Sequence, residues 1–226
     1  MPNRLWGLII VIVLLITACA PVLELRNDAY FQDTSLVDGE PCFAPCWRNL
    51  TPGETTWDEA EATLPTFEDV SNIKRVRNRD TGEEIYNFHY GEGPQCCRIY
   101  TRDGSTLASL LLLVAPEMSL DAVIEQYGEP QYIQATDITD DQSFVTLVYV
   151  DVPMLLYIFA GGVTDGEISA DSEVIGTVYM APSEMTALLN ETAMFTWNSY
   201  GVLNQLMSGE AVIPASANNE ESSDSD

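Results

Sequence analysis

A helix-opening signal followed by several strand-like runs occurs twice in this chain, about sixty residues apart, and repetition at that spacing restricts the fold more than any other feature. In the first copy Thr56 and Glu59 form a capping box, whose hydroxyl and carboxylate satisfy the free amides at a helix start, so a helix is predicted over residues 57–64. Strand patterns follow at residues 70–78, 84–90, 95–102 and 106–114, with turn residues from Asn78 to Gly82 and at Asp103-Gly104. In the second copy Ser119 caps a helix whose apolar face carries Leu120, Val123, Ile124 and Tyr127. Gly128, read as a left-handed stop, and Pro130 end it. Further strands are predicted at residues 131–138, 144–150, 154–160 and 173–180, and a third helix from Pro182 to about Asn190. The pattern leaves the type of residues 195–207 open. The expected class is α+β: two tandem units, residues 42–115 and residues 116–207, the second with a C-terminal helical segment. Each is a short helix followed by antiparallel strands, and the two pack as one body because neither buries enough core alone.

The ends of the chain read differently. Arg4 is followed by an apolar run from Leu5 to Leu15 and then by Ile16-Thr17-Ala18-Cys19. A positive start, a short apolar stretch and small residues are the parts of a secretory signal, here residues 1–18. A Cys directly after Ala18 resembles the lipobox of bacterial lipoproteins, which implies cleavage before Cys19 and a lipid on its thiol. The apolar run is shorter than the ~20 residues that a membrane span needs. Residues 19–41 show little periodicity and are expected to act as a tether with a typical reach of about 25 Å. Residues 208–226, rich in Ala, Asn, Ser and acid, are expected to be a disordered tail.

The formal net charge is −26, which argues against nucleic acid, because nucleic-acid surfaces need clustered Lys and Arg to displace counterions. Every Lys and Arg lies at or before Arg102, and Lys74, Arg75, Arg77 and Arg79 are the only basic cluster. The cluster reads as a charged strand edge that discourages aggregation, or as a contact with anionic lipid headgroups or an acidic partner.

Beyond Cys19, four cysteines remain: Cys42, Cys46, Cys96 and Cys97. An even number in an exported domain points to disulfides, with three possible connectivities. Pairing Cys96 with Cys97 forces an awkward ring across one peptide bond, and because neighbours on an extended strand face opposite ways, both cross-bridges cannot form in regular geometry. The expected pattern is a cross-bridge from Cys42 or Cys46 to Cys96 or Cys97, with a local Cys42–Cys46 loop as the next choice. A four-thiolate zinc site fits poorly, because zinc knuckles use tighter Cys spacings than adjacent residues provide. A thioredoxin-like pair fits worse still, since Cys42 and Cys46 enclose three residues instead of two.

His89, the only histidine, limits catalysis sharply: a Ser-His-Asp or Cys-His arrangement would have to use it. It sits in the alternating run Tyr86-Asn87-Phe88-His89-Tyr90, where a structural role is expected. Asp140-Asp141 reads as a solvated turn, and Asp165, Glu167, Asp171 and Glu173 fail the spacing of a calcium loop. No cofactor motif is present, and the aromatic residues read as core.

Residues 119–130, a capped helix ending in Gly128-Glu129-Pro130, resemble the helix-then-G-x-P signature of the SmpA/OmlA (BamE-like) lipoproteins. Pro52-Gly53-Glu54-Thr55-Thr56-Trp57-Asp58-Glu59 resembles the entrance to the same helix, without a following G-x-P. Two such units in tandem are similar in layout to beta-lactamase-inhibitor-like proteins, and Pro45-Cys46-Trp47 onward resembles bacterial lipoproteins of uncharacterised role. The resemblance implies a binding surface instead of a fixed catalytic set. The expected function is a non-enzymatic envelope lipoprotein, anchored through Cys19, that binds another protein or acts as a scaffold. The alternatives are capture of a small ligand, and a thiol or hydrolase enzyme using His89 with Cys96 or Cys97.

Overall fold

The computed structural model describes residues 28–115, 118–139, 142–161 and 166–214. The fold is α+β, built on one nine-stranded antiparallel sheet. Its first strands are β1 (Val70–Arg77), β2 (Glu84–Tyr90), β3 (Gln95–Thr101) and β4 (Ser109–Leu113). The later ones are β5 (Tyr132–Thr139), β6 (Gln142–Tyr149), β7 (Met154–Gly161), β8 (Glu167–Ile168), β9 (Val174–Met180), β10 (Phe195–Thr196) and β11 (Gly201–Val202). The order across the sheet is β1-β2-β3-β4-β9-β7-β6-β5-β10, and β8 pairs with β11 apart from it. The sheet therefore runs unbroken across the expected boundary at residue 115, through the pairing of β4 with β9.

The helices are α1 (Ser35–Asp38), α2 (Trp57–Thr63) with a 3₁₀ turn at Leu64–Thr66, α3 (Leu120–Tyr127), α4 (Pro182–Glu191) and α5 (Leu203–Leu206). All but α4 lie on one face. The capping box forms as predicted: the Thr56 hydroxyl accepts from the Glu59 amide, and the Glu59 carboxylate accepts from the Thr56 amide. The Ser119 hydroxyl accepts from the Ala122 amide at the start of α3. Gly128 ends α3 with φ +80°, although its ψ is extended and not left-handed helical. Alternate strand residues meet these helices to form the core: Phe88, Cys97, Ile99, Leu110, Leu112, Tyr179, Leu156, Leu147 and Ile133 are buried with Trp57, Leu64, Leu120 and Val123.

Residues 28–41, expected as tether, belong instead to the packed body. Phe31 is fully buried, and its backbone bonds to Leu113 and Ala115 at the end of β4. Its ring meets Trp47 and Tyr90 edge-on at 5.4 and 5.1 Å. The segment continues through Trp47, whose indole N–H donates to Asp33 at 2.9 Å, to Gly53, whose amide bonds Leu107. It forms a strap along the helix side of β4. A similar correction applies at the other end, where Val212 of the expected tail bonds Met194 in both directions.

Arg48 clamps the strap. Its guanidinium lies 4.9, 5.1 and 5.0 Å from the rings of Phe31, Trp47 and Phe67, and it donates to both Asp69 oxygens at 2.7 and 2.6 Å. A desolvated guanidinium over aromatic faces gains cation–π attraction, and the planar fork matches the carboxylate. Those hydrogen bonds hold the Asp69 carboxyl below its ordinary range. Because the folded value is the depressed one, the stabilisation is present above the ordinary carboxylate range and is lost as pH falls through the folded value. The expected outcome is that Asp69→Asn lowers stability near neutral pH, while its deficit against the unaltered protein shrinks below about pH 4. Chemical denaturation across pH checks this. An equal deficit at every pH would assign the loss to packing instead of charge.

Candidate functional site

The ladder registers sort the strand residues into two faces. One is the core face described above. The other carries Ile85 and Asn87 on β2, Arg98 and Tyr100 on β3, and Ser109, Leu111 and Leu113 on β4. Across the seam it continues through Gly176 and Val178 of β9, Leu155, Tyr157 and Phe159 of β7, Phe144 and Thr146 of β6, and Gln134 of β5. Helix α4 covers only one end of this face, where Met185, Leu188 and Leu189 pack with Val148, Leu155, Tyr132 and Met180. The bidentate pair of Arg102 with Glu184, at 2.8 and 2.6 Å, fastens that helix to the end of β3.

Beyond α4 the face is half-exposed and apolar. Leu111, Val178, Tyr157, Phe159 and Phe144 lie there outside both buried clusters. The Phe144 and Tyr157 rings meet at 4.6 Å, and burial holds the Tyr157 hydroxyl above its ordinary value. Gly176, opposite Tyr157, admits no side chain, because a Cβ there would stand 2.8 Å from the Leu112 carbonyl oxygen. The charged ladder residues on this face are cationic: Lys74 on β1, and Arg98, whose Nε donates to Asn87 Oδ1 at 2.9 Å; at the edge of the face the Glu83 carboxylate accepts from the Tyr100 hydroxyl at 3.1 Å. Among the described ladder positions of this face none is Asp or Glu, although the chain holds 35 acidic residues. Such a surface can bury apolar area against a partner without desolvating carboxylates.

Reading strand by strand missed this face. The signal was present: Met154-Leu155-Leu156-Tyr157-Ile158-Phe159 and Leu110 to Leu113 are apolar at both parities, which marks a strand with two apolar faces.

The expected cysteine cross-bridge is overturned. Cys42 is bonded to Cys46, and Cys96 to its neighbour Cys97. A bulge makes the second bond possible. Phe88 stands opposite Cys97 but His89 opposite Gln95, so Cys96 is an extra residue in β3 and the alternation that would separate the two side chains is suspended. Both cysteines are buried. As bonded, none of the four offers a thiolate to zinc or to a thiol mechanism.

His89 lies on the second face, half-buried, with Nδ1 2.8 Å from the Gly93 carbonyl oxygen. Of the basic cluster on edge strand β1, Arg75 and Arg77 turn toward the core side and pair with buried Glu84, Arg75 also reaching Glu61 at 3.2 Å. Among the described residues no group of three or more His, Cys, Asp or Glu is placed to hold a metal ion. Cys19, Asp140, Asp141 and Asp165 lie outside the described residues. No helix among the described residues is long and apolar enough to cross a membrane. No protein-family model, curated protein or solved structure matches the chain.

If the second face serves contact and not folding, its residues are stability-neutral by comparison with the core. Leu111→Ser or Tyr157→Ser is expected to cost about 1 kcal/mol or less, whereas Leu112→Ala, one residue away on the core face, costs about 2–5 kcal/mol. Urea unfolding midpoints at constant m check the contrast. Comparable losses at Leu111 and Leu112 would make the second face part of the core.

Proposed function

We propose that this chain is an extracytoplasmic lipoprotein, anchored through Cys19, that binds another protein on the open face of its sheet. The observation that carries the reading is the acid-free apolar band across Leu111, Val178, Tyr157, Phe144 and Phe159 on a chain of net charge −26. A protein of this acidity keeps itself soluble and apart from others, so an apolar band with no carboxylate at its ladder positions is the part fitted for contact. Anchoring rests on Ile16-Thr17-Ala18-Cys19 after the apolar run. With the packed body beginning by Phe31, the leash is short. Residues 19–27, which precede the described body, have a contour of at most about 32 Å, so the anchor would keep the body near the membrane surface.

The same reading treats the body as two packed helix–sheet units. The supporting observation is the mirrored strand order: β1-β2-β3-β4 on one side meets β5-β6-β7-β9, reversed, on the other, and the last strand of each pairs at the seam. Joining two such units doubles the width of the contact face without adding an exposed edge between them.

The test uses the full-length chain in its own envelope with a photo-crosslinking residue at Tyr157, and a control at Glu125 on α3. The expected result is a defined protein adduct from position 157 alone. Cys19→Ser is expected to leave the precursor uncut and to abolish that adduct. Adducts of equal pattern from both positions would contradict the binding face, and normal processing of Cys19→Ser would contradict the anchor.

A further inference from the structure

The Cys96–Cys97 bond and the β3 bulge are one linked device. From Ile85↔Tyr100 through Tyr86↔Ile99 and Asn87↔Arg98 to Phe88↔Cys97, the β2–β3 ladder keeps a constant register. Continued by one step, that register would place Cys96 opposite His89, on the open face. The observed partner of His89 is Gln95, one residue short. Two side chains on adjacent residues, with Cα atoms 3.7 Å apart, cannot be joined while they point to opposite faces, so the bond requires the bulge. On the core side Cys96 is buried among apolar residues, and its only polar neighbour there among the described residues is the Phe88 carbonyl oxygen, 4.0 Å from the sulfur, so without the bond apolar packing alone holds it on that side. The turn beyond it, Gly91-Glu92-Gly93-Pro94, is tied through the Gly91 amide to the Asp69 carbonyl and the Gly93 amide to the Tyr90 carbonyl, so a shift of one residue has to break these local bonds.

We propose that Cys96–Cys97 is a reducible site at which a dithiol resets the β2–β3 hairpin and delivers the Cys96 thiol to the open face beside His89. In the exchange one thiolate of the dithiol attacks a cysteine sulfur, the Cys96–Cys97 bond breaks, and a mixed disulfide forms. The second thiol of the dithiol resolves it, leaving the reductant as a disulfide and both cysteines as protonated thiols. Two electrons and two protons pass to the protein. Cys97 keeps its place opposite Phe88 and Leu112 and stays buried. The two thiols thus become unequal, and the patch formed by His89, Gln95, Asn87 and Arg98 gains a nucleophilic sulfur. This inference concerns the hairpin alone and does not depend on what the open face binds.

The test is reduction of the purified full-length protein with dithiothreitol, brief alkylation with iodoacetamide, and fragment-ion sequencing of the peptide holding both cysteines. Amide exchange is followed in parallel. The expected result is no label before reduction and, after it, labelling of Cys96 about tenfold faster than Cys97, because thiol reactivity follows exposure. Faster exchange is expected only between Phe88 and Arg98. The second arm is Cys96→Ser, whose remaining Cys97 is expected to stay unreactive in a folded protein. Equal labelling of both thiols, faster labelling of Cys97, labelling without reductant, or exchange that rises across the whole sheet would each overturn the proposal.

Discussion

The pairing of β4 with β9 is the contact on which the rest depends. Five residue pairs, from Ser109↔Met180 to Leu113↔Gly176, join β1–β4 to the later strands of the sheet. The seam is tight. Gly176 lies so close to β4 that a Cβ would crowd the Leu112 carbonyl oxygen and the Leu113 side chain, at 2.8 and 3.0 Å. A residue without a side chain lets the backbones meet there, and the β7–β9 ladder shifts register beside it. Leu110, Leu112, Thr177 and Tyr179 point from the seam into the helix side, so α2, α3 and the strap share one core. Because these contacts are distant in sequence, they form at a large loop-closure cost that burial of that shared core must offset.

Covering one face of the sheet determines what is left on the other. The helices and strap lie on the side of Phe88, Leu112 and Leu147, and only α4 crosses to the far side. The strap is held by several modest interactions acting together: the Phe31 backbone bonds, the Trp47 indole bond to Asp33, and Arg48 between three rings and Asp69. Sealing the seam on the helix side leaves the acid-free band of Leu111, Val178, Tyr157 and Phe144 facing water. The charge asymmetry is therefore a property of the fold: carboxylates line turns, helix starts and edges, while the broad face carries Lys74 and Arg98.

Local chemistry made most elements legible in the sequence. The capping box at Thr56 and Glu59, the Ser119 cap and the proline at the start of α4 each act within a few residues, and the strands alternate or turn at recognisable residues. What escaped was non-local. Tyr30 and Phe31 are adjacent aromatics in a mostly polar stretch, and no periodicity distinguishes a strap residue from a tether residue until Trp47 and Tyr90 are seen against Phe31. The Cys96–Cys97 bond escaped because a ring across one peptide bond is awkward in a regular strand, and the bulge that accommodates it depends on the facing strand. The open face was half visible. Apolar residues at both parities announced two apolar faces, but which would be covered depends on where α4 and the strap come to rest.

Hydrogen exchange of the intact protein, resolved by residue, tests the seam most directly. The slowest amides are expected in Ser109–Leu113 and Val174–Met180, exchanging only with global unfolding in one cooperative transition, while edge strands β1 and β10 exchange sooner. Seam amides that exchange ahead of β2 and β6, or two separate transitions, would show that the halves fold independently and that β4 and β9 merely touch.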